Sequence, residues 1–153
     1  MKLKLLNTFI VFGFSFNVAA QTCYGGADTT TPTDRFTVNA DGTVSDTETG
    51  LMWQRCSYSQ TYNTETLLCE GSTPAVTWQE ALRGATNDTT ANYDDWQVPN
   101  IKELASILEH SCTEPSINEV VFLGTKSQNY WSSTSGVSLS LIHISEPTRP
   151  RSI

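Results

Sequence analysis

Histidine, cysteine and clustered carboxylates are the side chains through which this sequence could do chemistry, and it is sparing with them. There are two histidines. His110 stands at the expected end of a helix, where an imidazole caps free carbonyls, and His143 lies in a C-terminal segment set apart below. A serine–histidine–acid site would have to use His110, yet no Gly-x-Ser-x-Gly elbow accompanies it. No catalytic residue is assigned. The four cysteines, Cys23, Cys56, Cys69 and Cys112, are widely spaced and lack C-x-x-C pairs, so a zinc site is poorly supplied. An even number in an oxidising compartment reads as two disulfides, and four cysteines allow three connectivities. Cys56 and Cys69 bracket a polar loop and are expected to pair locally, a closure contributing about 3 kcal/mol. Cys23 with Cys112 would then tie an N-terminal arm to the end of the main helix.

The carboxylates invite a calcium reading. Asp41, Asp46 and Glu48 surround two turns, and Asp94 and Asp95 adjoin another. Calcium takes six to eight oxygen ligands, however, and the spacing of an EF-hand loop is absent. Turn formation and helix electrostatics account for these residues more simply, so no metal ligands or cofactors are assigned and calcium stays a minority reading. Four tryptophans complete the inventory. Trp53, Trp78 and Trp96 are expected in the core. Trp131 is more open, and Asn129, Tyr130, Ser132 and Ser133 around it supply hydrogen-bonding groups. Residues 129–133 are therefore the candidate binding residues, with the 57–74 loop as a second contact region.

Two helix starts position these groups. Thr77 with Glu80 matches a capping box, and Trp78, Ala81, Leu82 and Ala85 follow on one helical face. Asn100 with Glu103 matches a second, leading Ile101, Leu104, Ala105, Ile107 and Leu108 in a helix expected to reach about His110. Just before it, Asp94 and Asp95 form a turn, Trp96 and Val98 alternate as a half-buried strand, and Pro99 ends the ladder for want of an N–H. Any ligand is expected on loops around this stretch rather than on it. Phe36–Val38 and Thr43–Val44 flank an Asp41-Gly42 turn as a hairpin, with Leu51–Arg55 as a third strand. Ser57–Pro74 shows no period and reads as a long loop. Tyr130–Ser135 reads as a last strand. Helices and strands without strict βαβ alternation give an α+β class.

The ends of the chain are read separately. Lys2 and Lys4, an apolar run to Phe16 and the small residues Val18-Ala19-Ala20 form a signal peptide over residues 1–20, too short for a membrane anchor. The protein is expected to be exported to the periplasm, cell surface or medium. Leu139–Arg149 reads as the translation of a transposase-type sequencing adapter, so 139–153 is expected to be an artefact tail. The domain is then residues 21–138, incomplete at its C-terminus. Within it Arg35, Arg55, Arg83, Lys102 and Lys126 face fifteen acidic residues, a formal charge of −10. Such a field repels phosphate backbones and sulfated polysaccharides, which argues against nucleic acid and leaves neutral glycans, proteins or cations.

Taken in order, Asp41–Val44 with Asp46, Thr49–Trp53, Trp78 with Ala81, Asp95–Asn100 with Glu103 and Leu104, and Tyr130–Ser133 resemble the C-terminal domain family of the Legionella collagen-like adhesin. Trp53, Trp96, Pro99, Asn100, Glu103 and Leu104 are the structural signature. The resemblance covers nearly all of 21–135. It implies a C-type-lectin-like domain, with two helices on short twisted antiparallel sheets, long loops, and closing strands that would follow Ser135 and are missing here. It also implies an adhesin that trimerises and binds sulfated glycosaminoglycans. Gln97 stands where the family usually has arginine, and with the acidic balance this argues against carrying that ligand over.

The reading that results is an exported, non-enzymatic binding or adhesion module for a carbohydrate or protein, with homo-oligomerisation open. A structural subunit of a surface appendage is the first alternative. A formylglycine-generating-type oxidase, which needs redox cysteines, is the second.

Overall fold

The computed structural model describes residues 21–134 and the backbone of 138–140. The expected signal peptide and residues 141–153 of the expected tail lie outside them. The class is α+β, with two short helices among four small antiparallel sheets.

β1 (Thr22–Cys23) pairs with β7 (Cys112–Thr113), and the Cys23–Cys112 bridge spans this pair. β2 (Phe36–Val38), β3 (Thr43–Asp46) and β4 (Met52–Gln54) form the three-stranded sheet foreseen from the Asp41-Gly42 turn. Gly42 has φ +85, and a Cβ there would meet the Tyr62 side chain at 2.6 Å, so the turn needs glycine twice over. On the sheet's inner side Val44 is fully buried, with Phe36 opposite Asp46 and Val44 opposite Trp53.

The core gathers Phe36, Val44, Leu104, Ile107, Ile117, Val121 and Phe122, with Trp53 and Tyr130 packed against it. Phe36 and Phe122 meet edge to face at 5.5 Å, a favoured aromatic geometry. One ion pair sits at its margin. The Arg35 guanidinium donates through Nε to Asp46 Oδ1 at 2.8 Å and through a terminal nitrogen to Oδ2. Asp46 is 1% exposed and also accepts from the Glu48 N–H and the Thr49 hydroxyl.

Both helices start as the capping boxes foretold. α1 (Trp78–Thr86) is capped by Thr77, whose hydroxyl accepts from the Glu80 N–H while the Glu80 carboxylate accepts from the Thr77 N–H. The Thr77 N–H and hydroxyl, both donating to it, hold the Glu80 carboxyl below its ordinary range. α2 (Ile101–Ser106) is capped by Asn100 with Glu103 in the reciprocal role.

Three expectations are corrected. α2 stops at Ser106 instead of near His110, although Ile107 and Leu108 continue its apolar period. Leu108 forms a bridge with Ile117 and the Glu109 N–H donates to Ser116, so tertiary partners replace the next helical turn. The 57–74 segment is not simple loop. It holds the hairpin β5 (Thr61–Asn63) and β6 (Leu68–Glu70), closed at its base by Cys56–Cys69. Its residues are mostly polar, so no apolar face announced it. Its order comes from the bridge, from the Asn63 side-chain amide oxygen accepting the Glu65 and Thr66 N–H groups, and from Arg55, which joins Tyr62 to the Val120 and Val121 carbonyls. Finally, residues 94–100 join no ladder. Trp96 and Val98 are half-buried and their neighbours Asp95 and Gln97 exposed, so the alternation is real. The Pro99 carbonyl accepts one bond, from the Ser133 N–H at 2.8 Å.

β8 (Asn129–Trp131) pairs with β9 (Ser138–Ser140), so the expected domain boundary at Ser138 falls within a strand.

A buried carboxylate fastens the N-terminal arm. Glu109 is 2% exposed and accepts from the N–H and hydroxyl groups of Thr30, Thr31 and Ser111. Burial works against its ionisation, but the Ser111, Thr31 and Thr30 donors outweigh it and bring the carboxyl down to about 2. This lies below the unfolded value of about 4.3. The stabilisation is therefore complete above the unfolded value and is lost as pH falls through about 2. Glu109→Gln is expected to cost roughly 2–3 kcal/mol near neutral pH, from lost charge-assisted bonds and an amide facing donors. Urea unfolding of both proteins checks this. The gap between them should narrow as pH falls from about 5 to about 2, and a constant gap would mean that Glu109 is not held ionised.

Candidate functional site

α1 is amphipathic, yet no residue of it is buried. Trp78, Ala81, Leu82 and Ala85 are all half-buried, as the sequence placed them on one face. Tyr58 covers the helix at Gly84, where a Cβ would come within 2.6 Å of its hydroxyl. Such a contact explains a helical glycine that would otherwise cost about 1 kcal/mol relative to alanine. Further along the helix the face opens into a cleft.

That cleft has a volume of about 450 Å³. Leu82, Ala85 and Thr86 of α1 form one wall, residues 94–98 the other, and Ser133 closes one end. The Trp96 indole N–H donates to the Thr90 carbonyl at 3.0 Å, and its ring meets Tyr93 edge to face at 6.0 Å. At the opposite end of α1, the Trp78 indole N–H donates to the Ser132 carbonyl at 2.8 Å. These bonds fix both rings. They also correct the expectation that Trp78 and Trp96 are core residues, whereas Trp53 packs against the core. All three are half-buried, and Trp96 serves as cleft wall. An indole with one apolar side and one polar tip suits that boundary.

The candidate binding residues do not converge. Asn129 is exposed, and Trp131 is 40% exposed with its N–H bonded to the Val76 carbonyl. Tyr130 packs on the core and donates to the Lys126 carbonyl. Ser132 is fully buried. Only Ser133 of the five lines the cleft. Conversely, Asp94 to Val98, expected to be architecture alone, form a wall of it. Alternating bulk at Trp96 and Val98, together with the α1 face, was the available signal; what it could not show was that the two surfaces meet. Among the remaining signature residues, Leu104 is core, Asn100 and Glu103 form the cap, and Trp53 leans on the core.

The acidic residues weighed for calcium have other partners or none nearby. Asp46 is bonded to Arg35, whose hydrogen bond, against the cost of burial, holds its carboxyl far below the usual range. Asp41 accepts from the N–H and hydroxyl of Thr43 in a turn. Asp88, which was not in that set, feels a desolvation that would raise it, but Gln54 and Thr90 donate to it and its carboxyl is lowered. Among the described residues no group of three or more potential metal ligands assembles.

All four cysteines are bridged, as Cys23–Cys112 and Cys56–Cys69, which matches the expected connectivity. Disulfides of this kind indicate an oxidising, extracytoplasmic environment. Among the described residues no helix is long and apolar enough to cross a membrane.

The family model described as the Lcl C-terminal domain matches residues 42–145, about two thirds of the chain. The match begins at the turn glycine between β2 and β3 and takes in both helices, the hairpin and the whole cleft. The N-terminal arm precedes it. No curated protein and no solved structure matches.

Proposed function

The chain belongs to the Lcl C-terminal domain family, and from that premise we propose that it is an exported, non-enzymatic binding module that recognises a carbohydrate or protein at the bacterial surface. A C-type-lectin-like ancestry is part of this reading. The observation that carries it is the open cleft between α1 and residues 94–98, lined by apolar and polar side chains together. That composition suits holding a ligand by burial, with a few directed contacts. The family match supports a surface-associated role, and the two bridges support work outside the cytoplasm. Among the described residues Cys23, Cys56, Cys69 and Cys112 are all paired, so none of them offers a free thiol to the oxidase alternative.

The test is binding of the purified full chain to a glycan array and to a panel of immobilised extracellular-matrix and cell-surface proteins, with and without calcium. Specific, saturable binding to a member of either set is expected. Failure on both would leave the structural-subunit alternative as the better account.

A further inference from the structure

We propose that the cleft between α1 and residues 94–98 takes a basic, apolar peptide segment of a partner protein. This inference rests on the binding-module reading and specifies its ligand. The floor is aliphatic and aromatic, made by Leu82, Ala85, Trp96 and Val98. Asp94 and Asp95 stand exposed at its edge, and among the described residues no lysine or arginine lines it. Among the described residues the ion pairs are those of Arg35 with Asp46 and Glu48, so neither edge carboxylate is neutralised by a salt bridge. An apolar floor with unneutralised negative charge at one edge is complementary to a lysine or arginine side chain. The methylene stem lies along the floor and the cationic head reaches the carboxylates. The Trp96 ring adds a surface for a cation or for an adjacent apolar side chain.

Other occupants fit less well. A sugar needs many directed polar contacts, and the Trp96 N–H that could supply one is already bonded to Thr90. A second copy is opposed by charge. Among the described residues one exposed apolar pair is at the hairpin tip, where Leu67 and Leu68 are 58% and 57% exposed, and Glu65 and Glu70 flank it. Docking that tip into the cleft of another copy would set carboxylates against Asp94 and Asp95. The domain's charge of −10 likewise favours a basic partner over itself.

The test is calorimetric titration of the full chain with a blocked pentapeptide alternating leucine and lysine, beside the same peptide with glutamine for lysine. The lysine peptide is expected to bind at least ~10-fold more tightly, with an advantage that shrinks as salt screens it. Asp94→Asn combined with Asp95→Asn should remove that advantage. These positions are exposed, and a thermal melt confirms that the variant folds. Thr86→Arg, which puts a cation into the cleft at the end of α1 where the helix dipole tolerates it, should abolish binding. Equal binding of the two peptides, or unchanged binding by the double variant, overturns the proposal. Absence of peptide binding alongside a glycan or protein ligand from the arrays also overturns it, while the binding-module reading stands. If neither peptide nor arrays give binding, both fall.

Discussion

Cys23→Ser combined with Cys112→Ser is expected to lower stability by about 4–5 kcal/mol, the largest effect of any pair of substitutions considered. The bridge closes a sequence separation of 89 residues, and the entropy removed from the unfolded chain grows with loop length. Its loss is not confined to the unfolded state. The two-residue pair β1–β7 has little to hold it once the bridge is gone, and the arm that follows depends on it. Gln21 donates to the Pro115 and Ile117 carbonyls, and Thr30 and Thr31 supply most of the donors around Glu109. Releasing Cys23 therefore loosens four of the six donors to a buried carboxylate and leaves it those of Ser111. The same change at Cys56 and Cys69, separated by 13 residues, should cost about 3 kcal/mol and act locally on the β5–β6 hairpin. Equilibrium urea unfolding of both double variants checks the order. Equal costs would mean that residual structure in the unfolded chain, rather than loop length, decides the outcome.

Asp46→Ala should cost roughly 3–5 kcal/mol, because it leaves the Arg35 guanidinium buried without its partner. The Arg35 side chain is only 8% exposed, and its remaining ion-pair partner, Glu48, is 69% exposed and so well screened. The carboxylate also organises the turn after β3 through the Glu48 N–H and the Thr49 hydroxyl. Arg35→Met made together with Asp46→Ala should recover part of the loss, since the stranded charge is then removed. A double-mutant cycle measures that coupling. The pH dependence has a definite sign. Asp46 is depressed far below its unfolded value, so its contribution is complete above about pH 4 and fades only in stronger acid than Glu109 requires. A single Asp46→Ala that costs no more than the double variant would mean that the pair contributes little.

Local signals in the chain were read accurately wherever short-range chemistry decides structure. Thr77 with Glu80 and Asn100 with Glu103 start helices because each cap is complete within four residues. Asp41-Gly42 makes a hairpin because a positive φ there needs glycine. The cysteine pairing followed from the same economy, with one bridge across a local loop and the other from the arm to the helix end. The family signature was legible for a related reason, since its motifs are themselves caps, turns and strand stops.

The sequence by itself therefore determined the class, the helix starts, the central sheet and the bridges. Tertiary structure alone decided where α2 ends, because Leu108 and Glu109 leave the helix for partners at Ile117, Ser116 and Thr31, some of them far away along the chain. It decided that the polar 57–74 segment is a hairpin, held by Cys56–Cys69 and Arg55 rather than by an apolar face. It also decided the cleft. Leu82 and Ala85 could be placed on a helix face and Trp96 and Val98 on one side of an extended chain, but a period reports only which residues share a face. Whether two such faces meet, and whether they close on each other or leave a space between them, is fixed by packing across the whole domain.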